Sequence, residues 1–239
     1  MARRLVPRHQ AIEEYLRERI AAASPGAPLP TDKELCDRCQ VSRMTARLAV
    51  SRLAEAGLVT REPGKGTFVA HPRLQREASV LLSFTRQMER QGRVASSALL
   101  ERSRIEAPPD VSEQLHLPPN APVLLIRRIR LADGIPTALE WVMLPEERFG
   151  WLMAVDLERG SLHEALESRG ILPYRGQGAL TASVTTRDEA HLLGLPAGSP
   201  LLVERLVLFD QNGAPIQAGE TRYAAQRYAL DFHLHRNAR

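Results

Sequence analysis

The strongest constraint on how this chain can fold lies between residues 29 and 70, in LPTDKELCDRCQVSRMTARLAVSRLAEAGLVTREPGKGTFVA. Thr31 followed three residues later by Glu34 is a capping box. Each side chain satisfies a backbone N–H of the other, so a helix is expected over residues 31–38 with Leu35 and Cys36 facing inward. After a break at Cys39, Gln40 and Val41, Ser42 is placed to cap a second helix that runs to about residue 56. In that helix Ala46, Val50, Leu53 and Ala54 share one stripe, while Arg43, Met44, Arg47 and Ser51 fall largely off it. Gly57 suits a helix C-cap. Two extended runs follow, 58–61 and 67–70, joined by Glu62, Pro63, Gly64, Lys65 and Gly66. Helix, tight turn, helix and hairpin is the layout of a winged helix-turn-helix. A helix fits the major groove, and a lysine flanked by glycines can come close to a sugar-phosphate backbone. The same residues can also be read as a purely structural helical module with solvated arginines.

The motifs LPTDKEL, VSRMTAR, GLV and GKGTFV make this stretch similar to the DNA-binding domain of the GntR family of bacterial transcription regulators. The resemblance implies that Lys33 contacts phosphate at the front of the first motif helix and that Arg43 and Arg47 carry base and phosphate contacts. It also implies that Ser42 and Thr45 anchor the recognition helix, and that Lys65 and Gly66 form the wing tip. Two positions depart from the pattern. Gln40 replaces the usual glycine at a turn that calls for positive φ, which means either a small strain or a different turn. Cys39 replaces a larger apolar residue. Neither touches an implied DNA contact.

Charge follows the same division. Residues 1–70 carry 12 Lys or Arg against 8 Asp or Glu, and the remainder carries 20 against 20, so the whole excess of +4 sits in the DNA-binding segment. No run approaches the ~18 continuous apolar residues of a membrane helix, and MARRLVPRHQ is not followed by the apolar core of a signal peptide; a cytoplasmic protein is expected. Cys36 and Cys39 have C-x-x-C spacing but lack a second pair, so buried thiols are expected rather than a metal or disulfide. No cofactor is implied.

A first helix is expected over residues 9–23, with Ile12, Leu16 and Ile20 in register and Tyr15 beside them, followed by a rigid loop, SPGAPLP. The domains expected are 1–70 (DNA-binding), 71–80 (polar linker without strong periodicity) and 81–239. In the last, a short helix from Leu81 to near Gly92 precedes an extended run 96–105 and a helix 109–115. Strands 123–132 and 137–144 cross Asp133-Gly134, and strands 201–209 and 215–223 cross Asn212-Gly213. Helices 162–169 and 187–193, a strand 177–183 and a last strand 228–234 complete an α+β fold with a largely antiparallel sheet. LHLPPNAPVLLIRRIRLADGIPTALE echoes LGLPAGSPLLVERLVLFDQNGAPIQAGE, which suggests two similar half-sheets enclosing a shared cavity.

Arg128 and Arg130 lie two apart on one strand and so share a face, with Arg127 on the other. Such a pair either binds an anion between its guanidiniums or is balanced by acidic neighbours. The double pattern, with GSLHEALESRG and PYRGQGALTAS, resembles the UTRA effector-binding domain of the HutC-like branch of the same family, which shares the fold of chorismate lyase. More faintly, it is similar to the phosphonate-utilisation regulators. The resemblance implies that Arg128, Arg130 and Ser161 hold an anionic group, a phosphosugar, phosphonate or carboxylate. Glu140 and Tyr223 would meet the polar remainder, Ser96 and Ser97 would flank it, and Arg175 would be a third anion contact. Gln217 stands where relatives that hold sugars commonly have glutamate; its amide can still bind a hydroxyl. His116, His163, His191, His233 and His235 show no metal spacing, and Ser161 and His163 are poorly spaced for a nucleophile and its base, so no enzyme is expected. What is expected is a sequence-specific regulator on double-stranded operator DNA, a repressor released by a small anionic metabolite. The alternative is a regulator whose C-terminal domain only dimerises. A homodimer formed through the second domain would match a palindromic operator; the other possibility is a monomer that assembles only on DNA.

Overall fold

The computed structural model describes residues 8–62, 64–70, 73–77 and 81–231. The chain divides into two compact units, Met1–Arg73 and Leu74–Arg239.

The first unit holds α1 (Arg8–Ala21), α2 (Asp32–Cys39), α3 (Arg43–Glu55) and the hairpin β1 (Val59–Glu62) and β2 (Gly66–Val69). The capping box forms: Glu34 N donates to Thr31 Oγ1 at 3.3 Å, and Thr31 N donates to Glu34 Oε2 at 2.8 Å. Gln40 ends α2 at φ 51°, ψ 51°, the left-handed conformation that the turn required, and its Nε2 donates to Asp37 O at 2.8 Å. Ile12, Leu16, Leu35, Ala46, Ala49, Val50, Leu53, Val59 and Val69 form one core. Ala49 joins the stripe expected on α3, whereas Ala54 is half-buried. Cys36 and Cys39 correct the expectation of buried thiols. Leu35 takes the inward position on α2, leaving both cysteines half-buried at the edge of the core with free thiols.

The second unit contains β3 (Leu74–Glu77), α4 (Phe84–Arg90), β4 (Ala95–Glu106), α5 (Pro109–Gln114), β5 (Pro122–Ala132), β6 (Ile135–Pro145) and α6 (Glu146–Phe149). A 3-10 turn (Gly150–Ala154), α7 (Leu162–Glu167), β7 (Pro173–Val184), α8 (Arg187–Leu193), β8 (Pro200–Asp210), β9 (Pro215–Ala224) and β10 (Tyr228–Asp231) follow. The stretch read as a polar linker without strong periodicity contains β3, which pairs in parallel with β10, Leu74 opposite Tyr228. Buried Leu74 is the strand's one apolar anchor, too little for a periodic signal. The rest of that stretch (71, 72 and 78–80) and residues 232–234 of the expected last strand lie outside the described residues, as do Pro63, His233 and His235.

The main sheet has the order β4-β5-β6-β9-β8-β7. The two echoing segments therefore supply the hairpins β5–β6 and β8–β9, which β4 and β7 extend into three-stranded meanders, joined edge to edge where β6 pairs antiparallel with β9. This is one continuous sheet, not two half-sheets enclosing a cavity. β6 and β9 bury successive residues, Ala138 and Leu139 on one, Ile216, Gln217 and Ala218 on the other, as central strands covered on both faces must. Gly219 permits their close approach, since a Cβ there would lie 2.8 Å from Trp141 O. The β5–β6 turn is tight because Asp133 and Gly134 both take positive φ, 51° and 77°. α6, the 3-10 turn and α7 cover one face of the sheet, placing Phe149, Leu152, Leu162 and Leu166 against Leu124, Ile126, Val142 and Leu144.

Candidate DNA-binding and effector sites

In the first unit, Ser42 caps α3 by accepting from Thr45 N at 3.2 Å, and the two hydroxyls lie 3.0 Å apart. The cap fixes where α3 begins, and so sets Arg43 in its first exposed turn and Arg47 one turn later. Lys33 is exposed in the first turn of α2. These side chains meet the hairpin around a cleft of about 660 Å³, lined by Lys33, Arg43, Arg47, Arg61, Gly64 and Gly66 among others. Asp32 organises it by accepting from Arg47 Nε at 3.1 Å and Arg61 Nη2 at 2.7 Å. At the hairpin tip Lys65 Nζ lies 3.0 Å from Glu62 Oε2, and Gly66 adopts φ 130°, which side-chain-bearing residues avoid. Exposed ion pairs of this kind contribute little to stability, ~0 to 1 kcal/mol, so phosphates can replace the carboxylates. Arg61 and Asp32 were not singled out in the sequence. The pairing links residues far apart in the chain and left no local pattern.

In the second unit the row Leu124, Ile126 on β5 continues as Arg128 and Arg130, so the arginines lie on the covered face, 2% and 3% exposed. They differ in their partners. Arg128 Nε donates to Glu140 Oε2 at 2.8 Å, Nη2 makes a second bond to the same oxygen, and Nη1 reaches Leu157 O at 3.4 Å. Arg130 forms no ion pair among the described residues. Its guanidinium sits 4.6 Å from the Phe84 ring centroid, and its buried Nε has no hydrogen-bond partner. Burial lowers its pKa to about 10, with the charge of Glu140 opposing. Burial also opposes ionisation of Glu140, but Arg128 and Arg130 outweigh it and hold the carboxyl below its usual range. His163 is pushed down to about 4 by burial, against the pull of Glu140 and Glu167, and is neutral at physiological pH.

Arg128, Arg130, Glu140, Ser161, His163 and Gln217 line a small cavity of about 30 Å³, closed by Ser83, Phe84 and Leu162. It shares walls with a second cavity of about 70 Å³ that extends to Arg76, Glu204 and Tyr223. At that end Arg76 Nη1 donates to Glu204 Oε2 at 2.7 Å, and Tyr223 OH donates to the same oxygen at 3.3 Å. Gln217 Oε1 is buried without a partner. Ser161 caps α7, accepting from Glu164 N at 3.4 Å.

Of the expected effector residues, Arg128, Arg130, Glu140, Ser161, Gln217 and Tyr223 come together. Ser96, Ser97 and Arg175 do not. Ser96 pairs with Leu131 and Arg175 with Phe209, which puts both on the opposite face of the sheet; Arg175 is exposed, 3.8 Å from the Phe209 ring centroid. Ser97 pairs with Arg130 and shares its face, but does not line the cavity; its N–H donates to Glu158 O at 2.8 Å. Ser83, Phe84, His163, Arg76 and Glu204 were missed as site residues. For Ser83 a signal was present: SFTRQM is a serine cap, and Ser83 Oγ accepts from Arg86 N at 3.1 Å.

A basic winged-helix unit followed by an α+β unit with a polar buried cavity defines a DNA-binding regulator with a ligand-sensing domain. The comparisons with known proteins agree. Residues 8–69 match the family described as bacterial regulatory proteins, gntR family, and residues 90–229 match the UTRA domain. The chain belongs to the GntR family and carries a UTRA domain. It is 30% identical to the HTH-type transcriptional repressor NagR of Bacillus subtilis (strain 168), over 97% of this chain and 96% of that one. It is 28% identical to the HTH-type transcriptional repressor PhnF of Mycolicibacterium smegmatis, over 95% and 93% respectively. The crystal structure of PhnF from Mycobacterium smegmatis covers 94% of this chain with a TM-score of 0.68 at 28% identity. Among the described residues no helix is long and apolar enough to cross a membrane.

Proposed function

We propose that this chain is a repressor of the HutC-like branch that leaves its operator when a small anionic metabolite binds the cavity at Arg128, Arg130 and Ser161. The observation that carries this reading is Arg130: a buried cation without a carboxylate partner among the described residues, in one cavity with Gln217, whose buried Oε1 likewise has no partner among them. Buried charges are normally paired, and an arriving phosphate, phosphonate or carboxylate pairs this one. Arg128 is held in place by Glu140, so Glu140 is a positioning carboxylate more than a ligand contact. NagR and PhnF are named repressors, which supports repression over activation. A cavity of about 30 Å³ holds an anion-sized group, and drug-sized ligands occupy roughly 300 Å³ or more, so a larger effector requires the segment at Ser83 and Phe84 to move outward. The domain acts as a sensor without catalysis, although its fold is expected to be that of chorismate lyase. Dimerisation through the second unit fits its sheet: β7 is a twelve-residue edge strand exposed along nearly its whole length, a surface on which a second copy can pair.

The test is a thermal-shift screen of phosphorylated sugars, phosphonates and small organic acids, because a ligand that binds only the folded state must raise the melting temperature. A hit that Arg130→Ala retains unchanged refutes the site. One observation favours the second reading, a domain that dimerises and senses nothing: Arg128 is already neutralised by Glu140. That reading requires every anion in the screen to leave the melting temperature unmoved.

A further inference from the structure

The DNA-binding unit carries an apolar feature that neither its fold nor its charge explains. Met44 and Leu48 on α3 are 82% and 47% exposed, the only large apolar side chains so exposed among the described residues of this unit. At 3.6 residues per turn, both lie about 160° from Ala46, on either side of the point opposite the buried row of Ala46, Ala49, Val50 and Leu53. Spaced four apart, they are neighbours on the helix surface and make one strip on its outermost side. Single exposed apolar residues are ordinary. An adjacent pair in the first turns of a helix is different, because Ser42 caps that end and Arg43 and Arg47, which line the cleft beside Lys33, border one side of the strip. No acidic residue occurs in the first turn of α3. The surroundings of the strip thus suit a polyanion, while the strip itself suits an apolar group.

On the base edges of a major groove, the thymine C5-methyl is the apolar group available. We propose that Met44 and Leu48 read thymine methyls, so that the preferred half-site carries thymine where the first turns of α3 enter the groove. This rests on the reading of the first unit as DNA-binding and adds what Arg43 and Arg47 cannot supply. Arginines select guanine edges and phosphates, and the apolar pair selects thymine next to them.

The experiment uses the full chain and a duplex recovered by selection from random sequence. Each thymine is replaced in turn by deoxyuridine, which removes the methyl and leaves charge and pairing intact. With the unaltered protein, at least one thymine per half-site is expected to show a loss of roughly fourfold in affinity, the effect of one buried methyl. In M44A/L48A that loss should disappear, with dT and dU duplexes bound alike, while the dependence of binding on salt stays the same. Both side chains are exposed, so the variant is expected to melt as the parent does. If deoxyuridine costs nothing at any position, or costs as much in M44A/L48A as in the parent, the proposal is overturned. It is also overturned if M44A/L48A binds every duplex normally but loses self-association, since the strip is then a protein contact. Failure to recover any preferred duplex would instead refute the DNA-binding reading itself.

Discussion

Two arginines two residues apart on β5 should respond in opposite directions to the same substitution. Arg130 is 3% exposed and forms no ion pair among the described residues, and burial lowers its pKa to about 10. A base whose folded-state pKa is depressed destabilises the fold while protonated. The penalty is present in full below about pH 10 and fades only toward the ordinary arginine range. At about 1.4 kcal/mol per pKa unit this amounts to roughly 3 kcal/mol at neutral pH. Arg130→Met removes that charge but also removes the contact with Phe84, which is worth about 1 to 2 kcal/mol. The net expectation is a gain of roughly 1 to 2 kcal/mol, a rise of a few degrees in melting temperature for a chain of this size. Arg128→Met should instead destabilise by about 3 to 5 kcal/mol, because Glu140 is left buried without the guanidinium that holds it. The assay is thermal or urea denaturation of the full chain in phosphate-free, low-salt buffer. Equal destabilisation by the two substitutions would refute the reasoning, since Arg130 would then have a structural partner of its own.

Arg43→Ala is expected to lower operator affinity by about 1 to 3 kcal/mol and to blunt sequence preference, whereas Lys65→Ala should weaken all duplexes evenly and reduce the salt slope by about one; gel-shift titrations at several salt concentrations separate them. Asp32→Asn releases Arg47 and Arg61 from their shared carboxylate and should tighten binding to non-specific duplex, read by fluorescence anisotropy. His163 has a folded-state pKa of about 4, so the unfolded chain takes up its proton first as pH falls. Stability should decline from about pH 6.5 downward. His163→Gln should flatten that decline between about pH 6.5 and 5, before Glu140 and the other carboxylates begin to titrate.

Local signals made the DNA-binding unit legible almost throughout. Thr31, Glu34, Ser42 and Gly57 mark the helix ends within a few residues of chain, and the left-handed turn could be placed at Gln40 although glycine is absent. The second unit was legible where a turn or cap is local, as at Asp133-Gly134 and in the helix Arg187–Leu193, which Thr186 and Glu189 start with a capping box. It was opaque where long-range pairing decides. β3 exists because β10 lies beside it, and α6 and the 3-10 turn form because Phe149 and Leu152 drop onto the sheet. The echo between the halves was visible, but the β6–β9 seam that makes them one sheet was not. For the effector site, period-2 alternation placed Arg128 and Arg130 together. The same alternation, once β7 is in register with β8, removes Arg175. That Glu140 neutralises one arginine and leaves the other follows only from side-chain geometry.

On the proposed function, an anion bound in the cavity around Arg130 loosens the grip on DNA. The most direct measurement is an anisotropy titration of the full chain on its selected operator, with and without an anion that raises its melting temperature. That anion is expected to weaken operator binding by about 5- to 150-fold, a coupling of roughly 1 to 3 kcal/mol, and Arg130→Ala is expected to bind operator normally but not respond. An operator affinity that is the same with and without the bound anion, or a response that survives Arg130→Ala, would contradict it.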